Sequence, residues 1–223
     1  MPTQPLSGVR LDHLIRPASG APRGALVLLH GRGADEHDLV PLIDLLDPRR
    51  ELVAITPGGP LALPPGGRHW YVVPRVGFPE PKTFAESLSL LRELLDAISE
   101  QLEIPAGRIV LGGFSQGAVM SYALALDAAR PAPAALVALS GFIPTVDGWE
   151  PSLADRTALR VWIAHGSRDP VISVDFARQA RDLLAAGGFT NVAYHESQAA
   201  HHIDPRSLPE LTRWLADAVA AAS

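Results

Sequence analysis

The chain has no cysteine, which excludes disulfides, thiolate metal sites and a cysteine nucleophile. Lysine is almost missing too. Of the 19 basic residues all but Lys82 are arginine, and they are spread thinly along the chain. With a formal net charge of −5, no basic cluster marks a nucleic-acid footprint, and none is expected as a partner. No apolar run is long enough to span a bilayer, and Met1-Pro2-Thr3-Gln4-Pro5-Leu6 lacks the basic region and apolar core of a signal peptide. Stable membrane insertion is therefore not expected, and the cytoplasm is the expected compartment. G-x-G-x-x-G and a Gly-Lys-Ser/Thr ending are both absent, which argues against nucleotide binding.

What is present reads as one globular unit. Hydrophobic residues make up 47% and charged residues 19% of 223, enough to bury a core without staples. One domain over 1–223 is expected, although length alone would admit two small ones. Alternation at Val9, Leu11, His13 and Ile15 predicts a half-exposed edge strand. Ala25–Leu29, Leu52–Thr56, Arg108–Gly112, Ala135–Ser140 and Arg160–Ala164 are short, nearly continuous apolar runs, as expected of strands buried on both faces. Asn191–Tyr194 is expected as a short last strand. Between them lie helical patterns. The clearest runs through Phe84, Leu88, Leu91, Leu95, Ile98 and Leu102, an apolar stripe at helical spacing. Others are predicted at Leu39–Leu46, Gly117–Ala129, Val174–Ala186 and about Ser207–Ala222. Alternating strands and helices predict an α/β fold with a mostly parallel sheet and helices on both faces. The Pro/Gly-rich stretch Pro57–Pro81 is too long for a passive connection and is expected to be a functional loop.

In such sheets ligands bind beyond the carboxyl ends of the strands, and that rule sorts the polar residues. Gly113-Phe114-Ser115-Gln116-Gly117 fits G-x-S-x-G between a strand and a helix. This is the nucleophile elbow, in which small neighbours let strand and helix approach around a strained serine. Asp169 follows another strand end, and His201 and His202 lie between the last strand and the last helix. The order Ser, Asp, His is that of an α/β-hydrolase triad. A serine hydroxyl needs a base to take its proton, histidine suits near neutral pH, and a carboxylate fixes the imidazole tautomer. The backbone N–H groups of Gln116 and, in the loop His30-Gly31-Arg32-Gly33, of Arg32 are the expected oxyanion donors. Asp175 competes with Asp169 as the acid but falls inside a helix. No ligand spacing supports a metal site at His195, His201 and His202, and the chemistry needs neither metal nor cofactor. His30 and His165 are expected to fix loops. Phe142 and Ile143, just past a strand end, are expected at the substrate pocket, although packing alone would also explain them.

Leu29-His30-Gly31-Arg32-Gly33, Gly112-Gly113-Phe114-Ser115-Gln116-Gly117, Leu139-Ser140-Gly141-Phe142-Ile143-Pro144, His165-Gly166-Ser167-Arg168-Asp169-Pro170-Val171 and His201-His202-Ile203-Asp204-Pro205 together resemble the phospholipase/carboxylesterase family of small α/β-hydrolases, in that family's order. The resemblance implies the α/β-hydrolase fold with an antiparallel edge strand. It implies a serine carboxylesterase acting through an acyl-enzyme, and the lack of a long apolar lid or membrane-binding stretch favours short to medium acyl esters. Thioesterase or lysophospholipase activity on the same triad is the alternative. Small-molecule esters or thioesters are the implied partners, and a homodimer stays open. Matching His-x-Ile-x-Pro to the family pattern makes His201, rather than His202, the catalytic histidine, with Asp204 and Pro205 opening the last helix and Ser207 with Glu210 as a competing cap. Trp70 and Tyr71 fit either core or pocket by themselves; a tryptophan in a comparable loop of the family implies that Trp70 lines the pocket. The sequence departs from the family at Arg32, where a leucine or other neutral residue is usual, and at Ala200, where the histidine is usually preceded by glycine. A non-catalytic binding protein on the same fold is the rival class; such proteins usually lack a triad member, and all three candidates are here.

Overall fold

A computed structural model describes residues 4–222; Met1, Pro2 and Thr3, part of the stretch scanned for a leader, lie outside the described residues, as does Ser223. Seven strands form one sheet. They are β1 (His13–Arg16), β2 (Gly24–Leu29), β3 (Leu52–Pro57), β6 (Ile109–Phe114), β7 (Ala135–Leu139), β8 (Arg160–Gly166) and β9 (Val192–Ser197), in the order β1-β3-β2-β6-β7-β8-β9. All neighbours are parallel except β1, which runs antiparallel to β3 at the edge. A separate two-stranded ladder, β4 (Leu61–Ala62) and β5 (Arg68–His69), lies within the Pro/Gly-rich stretch.

The helices are α1 (Val40–Leu46), α2 (Pro81–Gln101), α3 (Gln116–Ala125), α4 (Asp175–Ala186) and α5 (Leu208–Ala221). Side chains alternate across each central strand. Ala25, Val27 and Leu29 pack toward α2, α3 and α4, while Leu26 and Leu28 pack toward α1 and α5. This division into two cores explains why β2 and β3 are buried at every position. The predicted stripe of α2 buries Phe84, Leu88, Leu91, Leu95 and Ile98. Its start is fixed by Pro81 and by Glu80, whose carboxylate accepts from the N–H groups of Lys82 and Thr83.

Several boundaries differ from the expected ones. The edge strand begins at His13 rather than Val9; the His13 ring turns back onto the preceding segment, accepting from Leu6 N and bonding Leu11 O. The last strand continues to Ser197, because pairing with β8 carries it past Tyr194 through polar residues. Helix α3 stops at Ala125; beyond it, the Asp127 carboxylate accepts from Ala129 N and pairs with Arg92, holding the chain in a turn. The last helix opens with a short 3-10 turn, Pro205–Ser207, capped by Asp204 on Arg206 N; Ser207 makes no side-chain cap bond to α5. No helix among the described residues is long and apolar enough to cross a membrane.

The chain leaves β2 outward to β3 and returns across it to β6, so β2 and β6 diverge at a topological switch point. The loops following these two strands carry the 30–33 segment and Ser115, and a crevice is expected there.

Candidate active site

Ser115 occupies the turn between β6 and α3 at φ 55° and ψ −120°, a region that non-glycine residues visit only when the surroundings enforce it. Gly113 and Gly117 supply that enforcement by allowing close approach. A Cβ on Gly113 would sit 2.7 Å from the Leu29 and Gly117 carbonyl oxygens, and one on Gly117 would be driven into the Leu29 carbonyl. Helix α3 can therefore seat its first turn directly on the end of β2. Every residue of α3 is buried, so packing on all sides holds the turn.

The loop before α5 brings His201 to this serine. The Nε2 atom of His201 is 2.9 Å from Ser115 Oγ, and Nδ1 is 2.6 Å from Asp169 Oδ2. The carboxylate has no proton to give, so Nδ1–H donates to Asp169 and Nε2 is left to accept from the serine hydroxyl. The Phe114 ring lies 4.9 Å from the imidazole and backs it. His202 is exposed and, among the described residues, has no bond to Ser115 or Asp169.

Asp169 is held from several directions. Its Oδ1 accepts from the N–H groups of Val171 (2.8 Å) and Ile172 (2.9 Å). His165 Nε2 lies 3.3 Å from its Oδ2 and donates to the Ile172 carbonyl at 2.8 Å. Burial pushes the Asp169 carboxyl upward, but the bonds from His201, Ile172 and Val171 outweigh it and hold the group below the usual carboxylate range. Burial pushes His165 down, against its bond to Ile172 and the nearby carboxylate, in keeping with a neutral ring whose Nε2–H faces the Ile172 carbonyl. Asp175, the competing acid, sits at the start of α4 and pairs with Arg178.

Arg32 and Gln116 line the same cavity as Ser115, and the N–H of each is unengaged among the described residues. As the first residue of α3, Gln116 has an N–H without an intrahelical acceptor. The Arg32 N–H has no partner among the described residues. The Arg32 loop lies against the elbow: a Cβ on Gly31 would meet the Phe114 ring at 3.1 Å and Ser115 Cβ at 3.5 Å. His30 fixes the loop, with Nδ1 on the Gly31 carbonyl (2.7 Å) and Nε2 accepting from Gly59 N (2.8 Å). Burial lowers its pKa despite the Gly31 bond, in keeping with a neutral ring.

Beside Ser115 opens a cavity of about 430 Å³, with Tyr71, Val72, Val76, Phe142, Val171 and Ile172 in its walls and Arg32 and His69 among its polar members. Phe142 lines this cavity. Trp70 does not: it is completely buried, and its indole N–H donates to the His30 carbonyl at 2.9 Å. The ring therefore braces the 30–33 loop, and its neighbour Tyr71 reaches the cavity instead. Ile143 is also displaced, lining a separate depression with Pro144, Val146 and Trp149. The Gln116 side chain had no expected part, yet it accepts from Trp70 N (2.9 Å) and donates to Tyr71 O (2.8 Å), tying the cavity wall to the elbow. An exposed Val72-Val73 pair inside a Pro/Gly-rich stretch was the available signal for that wall.

A serine at a strained turn, a histidine bridging it to a buried carboxylate and a doubly wound sheet together define a hydrolase-type centre. The profile of the phospholipase/carboxylesterase family matches residues 12–218, and the chain belongs to that family. Acyl-protein thioesterase 1 of Debaryomyces hansenii is 29% identical over 222 residues, covering 90% of this chain and 91% of the relative. Its Candida albicans counterpart is 27% identical, covering 91% and 96%. Among solved structures, esterase PE8 superposes with a TM-score of 0.81 at 25% identity, covering 94% of this chain and 99% of the other. A carboxylesterase from Mesorhizobium loti, at 21% identity, shares the fold with a TM-score of 0.82, covering 96% and 99%. The family is one of carboxylesterase and acyl-protein thioesterase type hydrolases, acting on ester or thioester substrates.

Proposed function

We propose that the protein is a serine carboxylesterase that forms an acyl-enzyme on Ser115. The observation that carries this reading is the continuous chain Ser115–His201–Asp169, at 2.9 and 2.6 Å, opening onto an apolar cavity. Ser115 Oγ attacks the carbonyl carbon while His201 Nε2 takes its proton; Asp169 fixes the tautomer and stabilises the imidazolium. Charge develops on the carbonyl oxygen, where the Arg32 and Gln116 N–H groups receive it; one such donor is typically worth about 3–4 kcal/mol. The intermediate collapses, the C–O bond to the alcohol breaks, and His201 returns the proton to the leaving oxygen. Water then attacks the acyl carbon with His201 again as base, releasing the acid and Ser115.

The cavity volume lies in the range of small-ligand sites, which supports short to medium acyl chains. Thioester substrates need the same steps with a thiol leaving group, and the relatives named as acyl-protein thioesterases favour that second reading. The cytoplasm remains the proposed compartment. With p-nitrophenyl acetate a burst of nitrophenolate is expected, together with labelling by a fluorophosphonate, and both should vanish in Ser115→Ala. Unchanged turnover in that variant would overturn the mechanism. An unlabelled, inactive wild-type protein would favour a binding role.

A further inference from the structure

The polar groups at the mouth of the cavity differ in how far they are already engaged. The Gln116 amide is occupied by Trp70 and Tyr71, and the Ser115 hydroxyl by His201. His69 uses Nδ1 on the Tyr71 carbonyl at 3.2 Å. The Arg32 side chain is exposed and, among the described residues, has no hydrogen bond, ion pair or ring contact. Many other arginines are committed: Arg16 to Asp44 and Asp47, Arg92 to Asp127, Arg178 to Asp175 and Glu196.

The backbone under this free guanidinium is fixed. Gly33 N donates to the Arg68 carbonyl at 2.8 Å, Ala34 N bonds back to Gly31 O, and Gly31 packs on the elbow. Two of the three carboxylates that follow in the same loop lie against other groups, and the third, Asp38, is exposed and makes no ion pair with Arg32. Asp35 accepts from His37 N at 2.9 Å, and Glu36 lies 3.7 Å from Arg68. One residue at the cavity beside Ser115 therefore combines an unengaged N–H with an uncommitted cation a side chain's length away. The guanidinium is a fork matched to carboxylate and phosphate oxygens. It is also a local attraction in a chain whose net charge of −5 would otherwise repel anions.

Resting on the esterase reading above, we propose that Arg32 binds an anionic group of the substrate, so that the preferred esters carry a carboxylate or phosphate a few bonds from the scissile carbonyl. The anion pairs with the guanidinium, the ester carbonyl points to the N–H groups of Arg32 and Gln116, and the apolar walls hold the intervening chain.

Two matched pairs test this in a pH-stat. Monoethyl adipate against ethyl isooctanoate places the charge on the acyl side; acetoxyethyl phosphate against its dimethyl phosphotriester places it on the alcohol side. The readout is the ratio of kcat/KM, anionic over neutral, within each protein, so a general loss of turnover cancels. For at least one pair this ratio should fall roughly 10- to 100-fold in Arg32→Leu, the scale of a charge-assisted hydrogen bond. Arg32→Lys should keep part of it, and added salt should erode it in the wild type. The responding pair identifies the side that carries the charge. Turnover of the neutral esters with an anionic-over-neutral ratio that is the same in wild type and Arg32→Leu, for both pairs, would overturn the proposal while leaving the esterase reading intact. No turnover of any ester would overturn both.

Discussion

His201 and His202 are adjacent in sequence and opposite in situation: one bridges Asp169 and Ser115, and the other is exposed. His201→Ala should lower kcat by roughly 10⁴- to 10⁶-fold, the scale for removing the base of a serine triad. His202→Ala should stay within a few-fold of wild type, with steady-state kinetics on one activated ester deciding between them. A dead His202 variant beside an active His201 variant would reverse the assignment. At this scale the sequence was informative about which residues meet at the strand ends, as with Ser115, Asp169 and Phe142. It was uninformative about direction. Trp70 and Tyr71 are neighbours of similar chemistry, and which ring turns outward depends on a long loop whose path no local periodicity encodes. The Gln116 amide was overlooked for a related reason, since its partners lie about 45 positions away.

Among the elements, α3 is the one on which the centre depends. It has no polar face, and each of its ten residues is buried, so its start is set by contact with β2 and β6 rather than by an amphipathic stripe. Gly117→Ala would place a methyl group against the Leu29 carbonyl and 2.6 Å from that of His30. The obstacle is backbone, which cannot rotate away. The expected result is a loss of at least about 1–3 kcal/mol, the usual cost of overpacking, seen as a lower denaturation midpoint together with lost activity. Unchanged stability would show that the contact is softer than its geometry implies. Helix α2 was legible because its stripe repeats for five turns. Strand β9 was read short because Glu196 and Ser197 are polar, and only its ladder to β8 holds them in line. The β4–β5 pair, two residues per strand, is too short to leave a pattern.

At the level of the whole molecule, alternating buried strands implied a mostly parallel sheet with ligands beyond its carboxyl ends, whereas the strand order, and with it the switch point between β2 and β6, came from the pairing alone. Charge is also distributed at this scale. Glu196 on β9 is gripped by Arg178 from α4 and by the Tyr194 hydroxyl, which together hold its pKa at about 2 against an ordinary 4.5. Burial and the same carboxylate push Tyr194 up to about 12. For Glu196 the unfolded chain takes up a proton first. Its stabilising contribution is full above about pH 4.5 and disappears as pH falls toward about 2. Glu196→Gln should therefore lower Tm near neutrality and flatten the decline of Tm through that acid window. An unaltered slope would show that the pair contributes nothing measurable. The effect should be partial, because Asp169 and Asp204 are also held below their usual range, Asp204 chiefly by Arg206.

The Gln116 amide, bonded at once to Trp70 N and the Tyr71 carbonyl, couples the cleft wall to the helix that follows Ser115. Wall and serine then travel as a single body, and the 70–71 backbone cannot swing aside for a bulky acyl group without dragging the elbow with it. Accommodation falls to rotamers of the exposed Val72, Val73 and Val171 at the rim. Selectivity should thus behave as a fixed template rather than an adaptive one, and enlarging the substrate range becomes a matter of trimming those three valines.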